Sequence, residues 1–213
     1  MNKEERDLQV KLEASHGTIA FATAKRCGPI ACTMPDEERY LELLNSVAFP
    51  GESSGVAREQ FICDLMVYPS DVPGKARARR FLQALPGLVG DLSRLIEVRC
   101  CGEYEDSVPT DEERAELDAK YDFGWALFTP AGCSRIVLAT DPTAGAAARR
   151  VFDARELGSE ELGKLIRTAV LTFVKSDKTD AEQLISSRPA ILVPLWARCC
   201  DLAGVGTAEL GKG

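Results

Sequence analysis

The chain carries one histidine, His16, among its 213 residues. A single imidazole nearly excludes the Cys/His zinc motifs. It also leaves any serine or cysteine nucleophile with one candidate base. His16 follows Ser15 directly, and adjacent side chains diverge too far to form a nucleophile–base pair. Positive charge is in deficit: 26 Lys and Arg stand against 33 Asp and Glu, a net charge of −7. Phosphate neutralisation needs the opposite balance, so nucleic acid is not expected as the main partner. No uncharged apolar run approaches the roughly 20 residues that cross a bilayer. The charged start, Asn2 to Asp7, leads into no apolar core, so neither membrane insertion nor a secretory signal is expected. The phosphate loops G-x-G-x-x-G and P-loop, the elbow G-x-S-x-G and the helix H-E-x-x-H are also missing. These absences predict no catalytic residue, no cofactor and no metal ion.

What is present is the balance of a folded protein, 45% apolar and 28% charged, at a length that suits one domain or two small ones. Cysteine is plentiful, with eight: Cys27, Cys32, Cys63, Cys100, Cys101, Cys133, Cys199 and Cys200. An even count suggests disulfides in short secreted chains, but this chain is long enough to bury a core unaided. Neighbours such as Cys100 and Cys101 point to different faces of a helix, and Cys27-x4-Cys32 is wider than the common zinc knuckle. Three readings stand: buried thiols acting as small hydrophobes, a disulfide formed late between subunits or in an oxidising environment, and metal binding. The paired cysteines Cys100, Cys101, Cys199 and Cys200 are the disulfide or redox candidates.

The chain also repeats itself. Residues 18–36 and 125–142 each give an apolar run, a polar turn with a cysteine (Cys27, Cys133), a second apolar run and a Thr/Asp/Pro helix start. Apolar residues then fall at helical spacing, Phe61/Leu65/Tyr68 in one stretch and Leu162/Ile166/Ala169/Phe173 in the other. Each stretch leads through a polar loop to a helix ending in Arg-Cys-Cys, at Arg99-Cys100-Cys101 and Arg198-Cys199-Cys200. The order of matched features predicts a duplication.

The fold expected is α+β and predominantly α-helical: two similar lobes, each a small β-hairpin followed by three or four helices. The first lobe with an N-terminal extension spans 1–102, an acidic linker 103–122, and the second lobe with a C-terminal tail 123–213. Strands are expected over 18–24 and 29–33 and over 124–129 and 134–139, with Gly and Pro at the turns. Thr33 is the expected cap of the next helix, with Pro35 in its first turn and Asp36, Glu37 and Glu38 at the positive end of its dipole. Tyr40, Leu41, Leu43, Leu44 and Val47 would form its buried face, and the loop 49–55 would end it. Further helices are expected over 55–68, 75–85 and 87–100, and over 158–174, 179–187 and 190–202, with Asp141-Pro142 starting the second lobe's first helix. The linker holds nine acids and two bases, a local charge of −7. Thr110 and Glu113 there match a capping box. Such a run reads as a solvated face, or as an acidic docking surface for a basic partner. The tail 205–213 has the composition of a terminus that needs neighbouring subunits to order it.

Other candidates for chemistry have plainer explanations. Thr143-Ala144-Gly145 has one glycine and is a poor phosphate cradle. Asp36, Glu37 and Glu38 suit a helix start better than acid–base work. Lys75, Arg77, Arg79 and Arg80 make a positive strip with little aromatic interleaving, which reads as a solvated helix face or a salt-bridging protein contact. Arg149-Arg150 is a weaker counterpart.

The hairpin, the Thr/Pro/acidic helix start, the helix through residues 58–69 (Arg58 to Pro69) and the helix opening at Pro86-Gly87-Leu88 together resemble a module of tailed-bacteriophage proteins. The stretch resembles some tail assembly chaperones and small tail or baseplate proteins. The resemblance covers residues 17–102 best and 123–204 more loosely. It implies a non-catalytic structural or assembly protein of a multi-protein particle, a virion component assembled in the host cytoplasm, whose partners are other protein subunits. The duplication, the cysteines and the acidic linker depart from the pattern. They leave a transient chaperone as the alternative to a permanent part, and a small cysteine-dependent redox protein or enzyme as the third reading.

Overall fold

The computed structural model describes residues 2–24, 26–47, 52–156 and 161–204. The chain divides into two compact units, Met1–Cys101 and Gly102–Gly213. Both are α+β and dominated by helix. The parts of the expected loop and helix at 48–51 and 157–160, and the tail 205–213, lie outside the described residues. Among the described residues no helix is long and apolar enough to cross a membrane.

The first unit runs α1 (Lys3–His16), β1 (Ile19–Ala24), β2 (Gly28–Thr33), α2 (Glu37–Val47), α3 (Glu52–Leu65), β3 (Met66–Tyr68), α4 (Val72–Ala84) and α5 (Pro86–Cys101). Helix α1 occupies what the sequence suggested was an extension. Asn2 and Glu5 form a reciprocal capping box, with bonds of 2.9 and 2.8 Å. Gly17, at φ 74°, ends the helix in a conformation that only glycine adopts without strain. The hairpin pairs Ile19 with Thr33 through to Ala24 with Gly28. Pro29 lies inside β2 opposite Thr23, and proline has no N–H to give. The hydrogen-bonded pairs are therefore the flanking ones, and Thr23 turns its backbone groups away from β2.

Several helix boundaries differ from expectation: α3 begins at Glu52, within the expected loop 49–55, and α4 begins at Val72, where Asp71 caps it. The cap of α2 is Asp36, whose carboxylate accepts from the Arg39 N–H at 2.8 Å. Thr33 instead ends β2 and donates its hydroxyl to the Leu65 carbonyl at 3.3 Å. Helix α3 stops at Leu65 rather than Tyr68, because Met66–Tyr68 pairs antiparallel with β2, opposite Cys32 and Ala31. Pro69 also disfavours helical backbone at the residue before it. On α2, Tyr40, Leu41 and Leu43 are buried and Leu44 is half-buried. Ile19 and Ile30 of the hairpin, Ile62 of α3, Leu82 of α4 and Leu92 and Ile96 of α5 are other large buried side chains of this unit's core.

The second unit runs β4 (Tyr104–Glu105), α6 (Asp111–Lys120), β5 (Trp125–Pro130), β6 (Ile136–Ala139), α7 (Pro142–Glu156), α8 (Leu162–Phe173), α9 (Lys178–Ser187), a 3-10 turn (Pro189–Ile191) and α10 (Leu192–Leu202). Its sheet has the order β4-β5-β6, and Val174, just past α8, bridges antiparallel to Leu138. The order of elements is thus that of the first unit: a helix, a hairpin, two helices, a short return to the hairpin's second strand, and two more helices. The segment 103–122 is built into this unit. Thr110 caps α6 by accepting from the Glu113 N–H at 3.2 Å.

Asp141 ties three elements of the second unit together. Its carboxylate accepts from Ala144 N–H at 2.8 Å, capping α7, and from Lys175 Nζ at 2.6 Å beyond the Val174 bridge. The Lys175 hydrogen bond and then the Ala144 N–H hold this carboxyl below the usual range. Asp141→Ala removes a helix cap and an ion pair. It should lower unfolding stability by about 1–2 kcal/mol, read as a drop in the urea midpoint at unchanged slope.

Candidate functional site

The most specific constellation in the molecule surrounds the outer edge of β5. Strand β4 adds there in two residues, Tyr104 opposite Pro130 and Glu105 opposite Thr129. The chain before it contributes the Glu103 carbonyl, which accepts from Ala131 N–H at 2.8 Å. Side chains then lock the added strand. The Ser107 and Thr129 hydroxyls are hydrogen-bonded to each other, and Arg198 of α10 forms a two-pronged ion pair with Asp106. The Tyr104 ring stacks on buried Phe128 at 4.9 Å between centroids. Arg188 donates to the Ala131 carbonyl at 3.0 Å and lies where a side chain on Gly102 would have to go. The unit therefore binds an extended acidic segment, one that its own chain supplies. Two further acids of the run are held within the unit. Glu113 pairs with Arg135 at 2.7 Å, and Asp118 accepts from Trp125 Nε1 at 2.8 Å.

Sequence reasoning missed this arrangement. The signal available was the alternation Glu103-Tyr104-Glu105, an aromatic between two charges at strand period, inside a run whose net charge dominated the reading. Nothing local to Arg198 or Asp106 announces that they meet across 92 positions.

The paired cysteines close the last helix of each unit. Cys100 of α5 and Cys199 of α10 are buried, and Cys101 and Cys200 are half-buried, as neighbouring helical positions must diverge. All eight cysteines are thiols in this structure. Burial pushes Cys199 well above its ordinary value of 9.0 and Cys200 up to about 11, with the neighbouring Cys200 and Asp201 charges adding to the respective shifts. In the first unit burial takes Cys32, whose Sγ lies 3.7 Å from the Ile62 carbonyl, up to about 12. Cys27 and Cys63 are raised too, burial outweighing the nearby Arg77 and Arg79. Thiols held protonated at neutral pH are weak nucleophiles and weak metal ligands. Among the described residues no three His, Cys, Asp or Glu side chains come together to hold a metal ion.

Open grooves lie elsewhere among the described residues, two of them similar in size. One, of about 480 Å³, lies between α3 and α4 beside Cys63, Lys75 and Arg79. The other, of about 460 Å³, runs from the β5–β6 turn to α9 beside Cys133, Asp180 and Gln183. The remaining sequence candidates scatter. His16 ends α1 and is exposed. Thr143, Ala144 and Gly145 sit in the first turn of α7. Of the basic strip, Arg77 donates to the Arg26 carbonyl and Arg79 to Gln60, while Lys75 and Arg80 face solvent, as do Arg149 and Arg150.

Comparison with protein-family models, curated proteins and solved structures yields no match.

Two outcomes follow from the thiol environments. Titration of the native chain with a thiol-reactive chromophore should show one fast equivalent at exposed Cys133, abolished by Cys133→Ser. Cys32 and Cys199 should react only on unfolding. Above pH 9 the unfolded chain releases the Cys32 and Cys200 protons, whereas the folded chain keeps them to about 12 and about 11. The folded state then binds more protons, so stability should be unaffected by these groups below pH 9 and fall from there to about pH 12. Urea midpoints across that range provide the check.

Proposed function

We propose that the chain is a non-catalytic, protein-binding component of a larger assembly, presenting surfaces from two copies of one small helical unit. The observation that carries this reading is the added strand of the second unit. There the scaffold spends its specific polar contacts on an extended polypeptide, by backbone pairing, a bidentate ion pair and a hydroxyl contact. That is recognition chemistry for protein, not for turning over a small substrate.

The matching order of elements supports a duplication, and the likeness extends upstream of residues 18 and 125. Helices α1 and α6 begin with the same Glu-Glu-Arg, at Glu4-Glu5-Arg6 and Glu112-Glu113-Arg114, and each precedes a glycine at positive φ and a hairpin. A doubled unit suits a partner of matching pseudo-symmetry, or halves the subunit number of a ring. The sequence resemblance points to the tail or baseplate of a bacteriophage as the assembly, with the virion as its location. Protonated, buried thiols fit this reading better than a cysteine-dependent redox activity.

Native mass spectrometry of purified particles, run with and without reductant, tests the proposal. The chain should appear at a fixed copy number with its mass unchanged by reductant. A monomer found in no particle and no complex would overturn it. Presence in assembly intermediates and absence from finished particles would assign the role of a transient chaperone instead.

A further inference from the structure

The first unit has the receptor half of the constellation around β5 but, among the described residues, no strand in it. Strand β1 is the outer strand of its sheet. Aligning the turn cysteines, Cys27 with Cys133, places Thr23 where Thr129 lies and Ala22 where Phe128 lies. Thr23 is exposed, its backbone groups face away from β2, and no strand pairs with that edge among the described residues. Helix α5 packs against β1 as α10 packs against β5. Its Arg-Cys-Cys end presents Arg99, the counterpart of Arg198. Where Arg198 grips Asp106, exposed Arg99 has no ion-pair partner among the described residues.

We propose that the outer edge of β1, with Thr23 and Arg99, is a docking site for an extended acidic segment of a partner protein, which adds to the first sheet as a fourth strand. The inference rests on reading the chain as a protein-binding component and names the surface and the chemistry of its partner. The occupant's character comes from the second unit. Glu103 to Ser107 shows what the edge accepts: extended backbone opposite the threonine, an aspartate for the arginine and a hydroxyl for the threonine side chain. Half-buried Ala22 and Ala24 stand where Phe128 and Pro130 are buried, so this face has room for a large partner side chain at the position of Tyr104. Charge favours the same choice. Residues 1–101 hold thirteen bases and fourteen acids, a charge of −1, whereas 102–213 hold thirteen bases and nineteen acids, a charge of −6. An acidic peptide meets far less repulsion at the first unit. The contacts are those of strand addition, in which the backbone provides affinity and a few side chains set the choice of partner.

The test uses the full chain, labelled with nitrogen-15, and a synthetic peptide with the sequence of residues 103–109. Millimolar peptide should shift the amide resonances of Thr23 and Phe21 saturably. Arg99→Glu should weaken the interaction about tenfold. A peptide whose aspartate is replaced by lysine should bind poorly to the native chain and regain affinity for the Arg99→Glu variant. Thr23→Pro, which removes an outward N–H that an edge strand can spare, should abolish the shifts. If that variant does not fold, the charge-swap pair decides. No saturable shift, shifts confined to residues 102–213, or binding indifferent to Arg99 would overturn the site. Particle membership is measured independently, so failure here leaves the assembly reading to its own experiment.

Discussion

A two-stranded hairpin presents two rows of unpaired backbone groups, and this constraint organises both halves of the molecule. Two strands alone are marginal in water. In each unit the second strand is closed by chain that leaves it, forms two helices and returns antiparallel, as Met66–Tyr68 on β2 and as Val174 on Leu138. That return fixes where the last two helices start. It also brings their apolar faces, Leu82 and Ile96 in one case and Ile185 and Leu195 in the other, into the core. The first strand's outer edge is left over. In the second unit the preceding chain covers it, and a helix then leads back into the hairpin.

Much of this frame is legible in the sequence; helix α1, which buries no residue and so has no apolar face to read, is not. Hairpins and helices whose apolar residues recur on one face are legible to within a few residues, because burial of that face is what forms them. Helix α8 is an example, with Leu162, Ala169 and Phe173 all buried. Short elements that exist only through pairing were not legible. Met66–Tyr68 continues an apolar helical pattern and becomes strand because β2 offers it hydrogen bonds. Tyr104–Glu105 lies in an acidic run that reads as solvated, and its strand character comes entirely from Thr129, Pro130 and Arg198. Thr33 looked like a cap because Ser, Thr and Asp are chemically equivalent there. Which residue serves depends on where β2 ends: Thr33 is its last residue and gives its hydroxyl to the Leu65 carbonyl at the end of α3, which leaves Asp36 to cap α2. The buried thiols were legible as one of three readings. What the sequence could not supply was the depth of Cys32 and Cys199, each fully excluded from solvent.

The acidic segment changes meaning once its partners are known. As sequence it is a block of like charge whose self-repulsion favours extended, solvated chain. In the fold three of its carboxylates are matched: Asp106 by Arg198, Glu113 by Arg135 and Asp118 by the Trp125 N–H. Surface pairs of this kind contribute little stability each, about 0–1 kcal/mol, but they are specific in geometry. Their combined effect is to choose the register at which a polar segment meets an apolar sheet.

The tether explains why so little pairing is enough. A two-residue strand has almost no affinity of its own, yet β4 leads through α6 directly into the strand it covers. Closing that short loop replaces a bimolecular encounter by an effective concentration in the millimolar range. Among the described residues no strand is tethered to β1 in this way. An occupant arriving from another chain lacks that advantage and must compensate with length. Phe21 and Ile19 turn their backbone groups to the same side as Thr23, since their neighbours Ala20 and Ala22 take up the hydrogen bonds to β2. The edge therefore favours a partner strand longer than β4. On the proposed reading, the same order of elements gives a structural strand where the ligand is covalently attached and a recognition surface where it is not. The difference lies in chain connectivity, with Thr23 and Arg99 keeping the chemistry of Thr129 and Arg198.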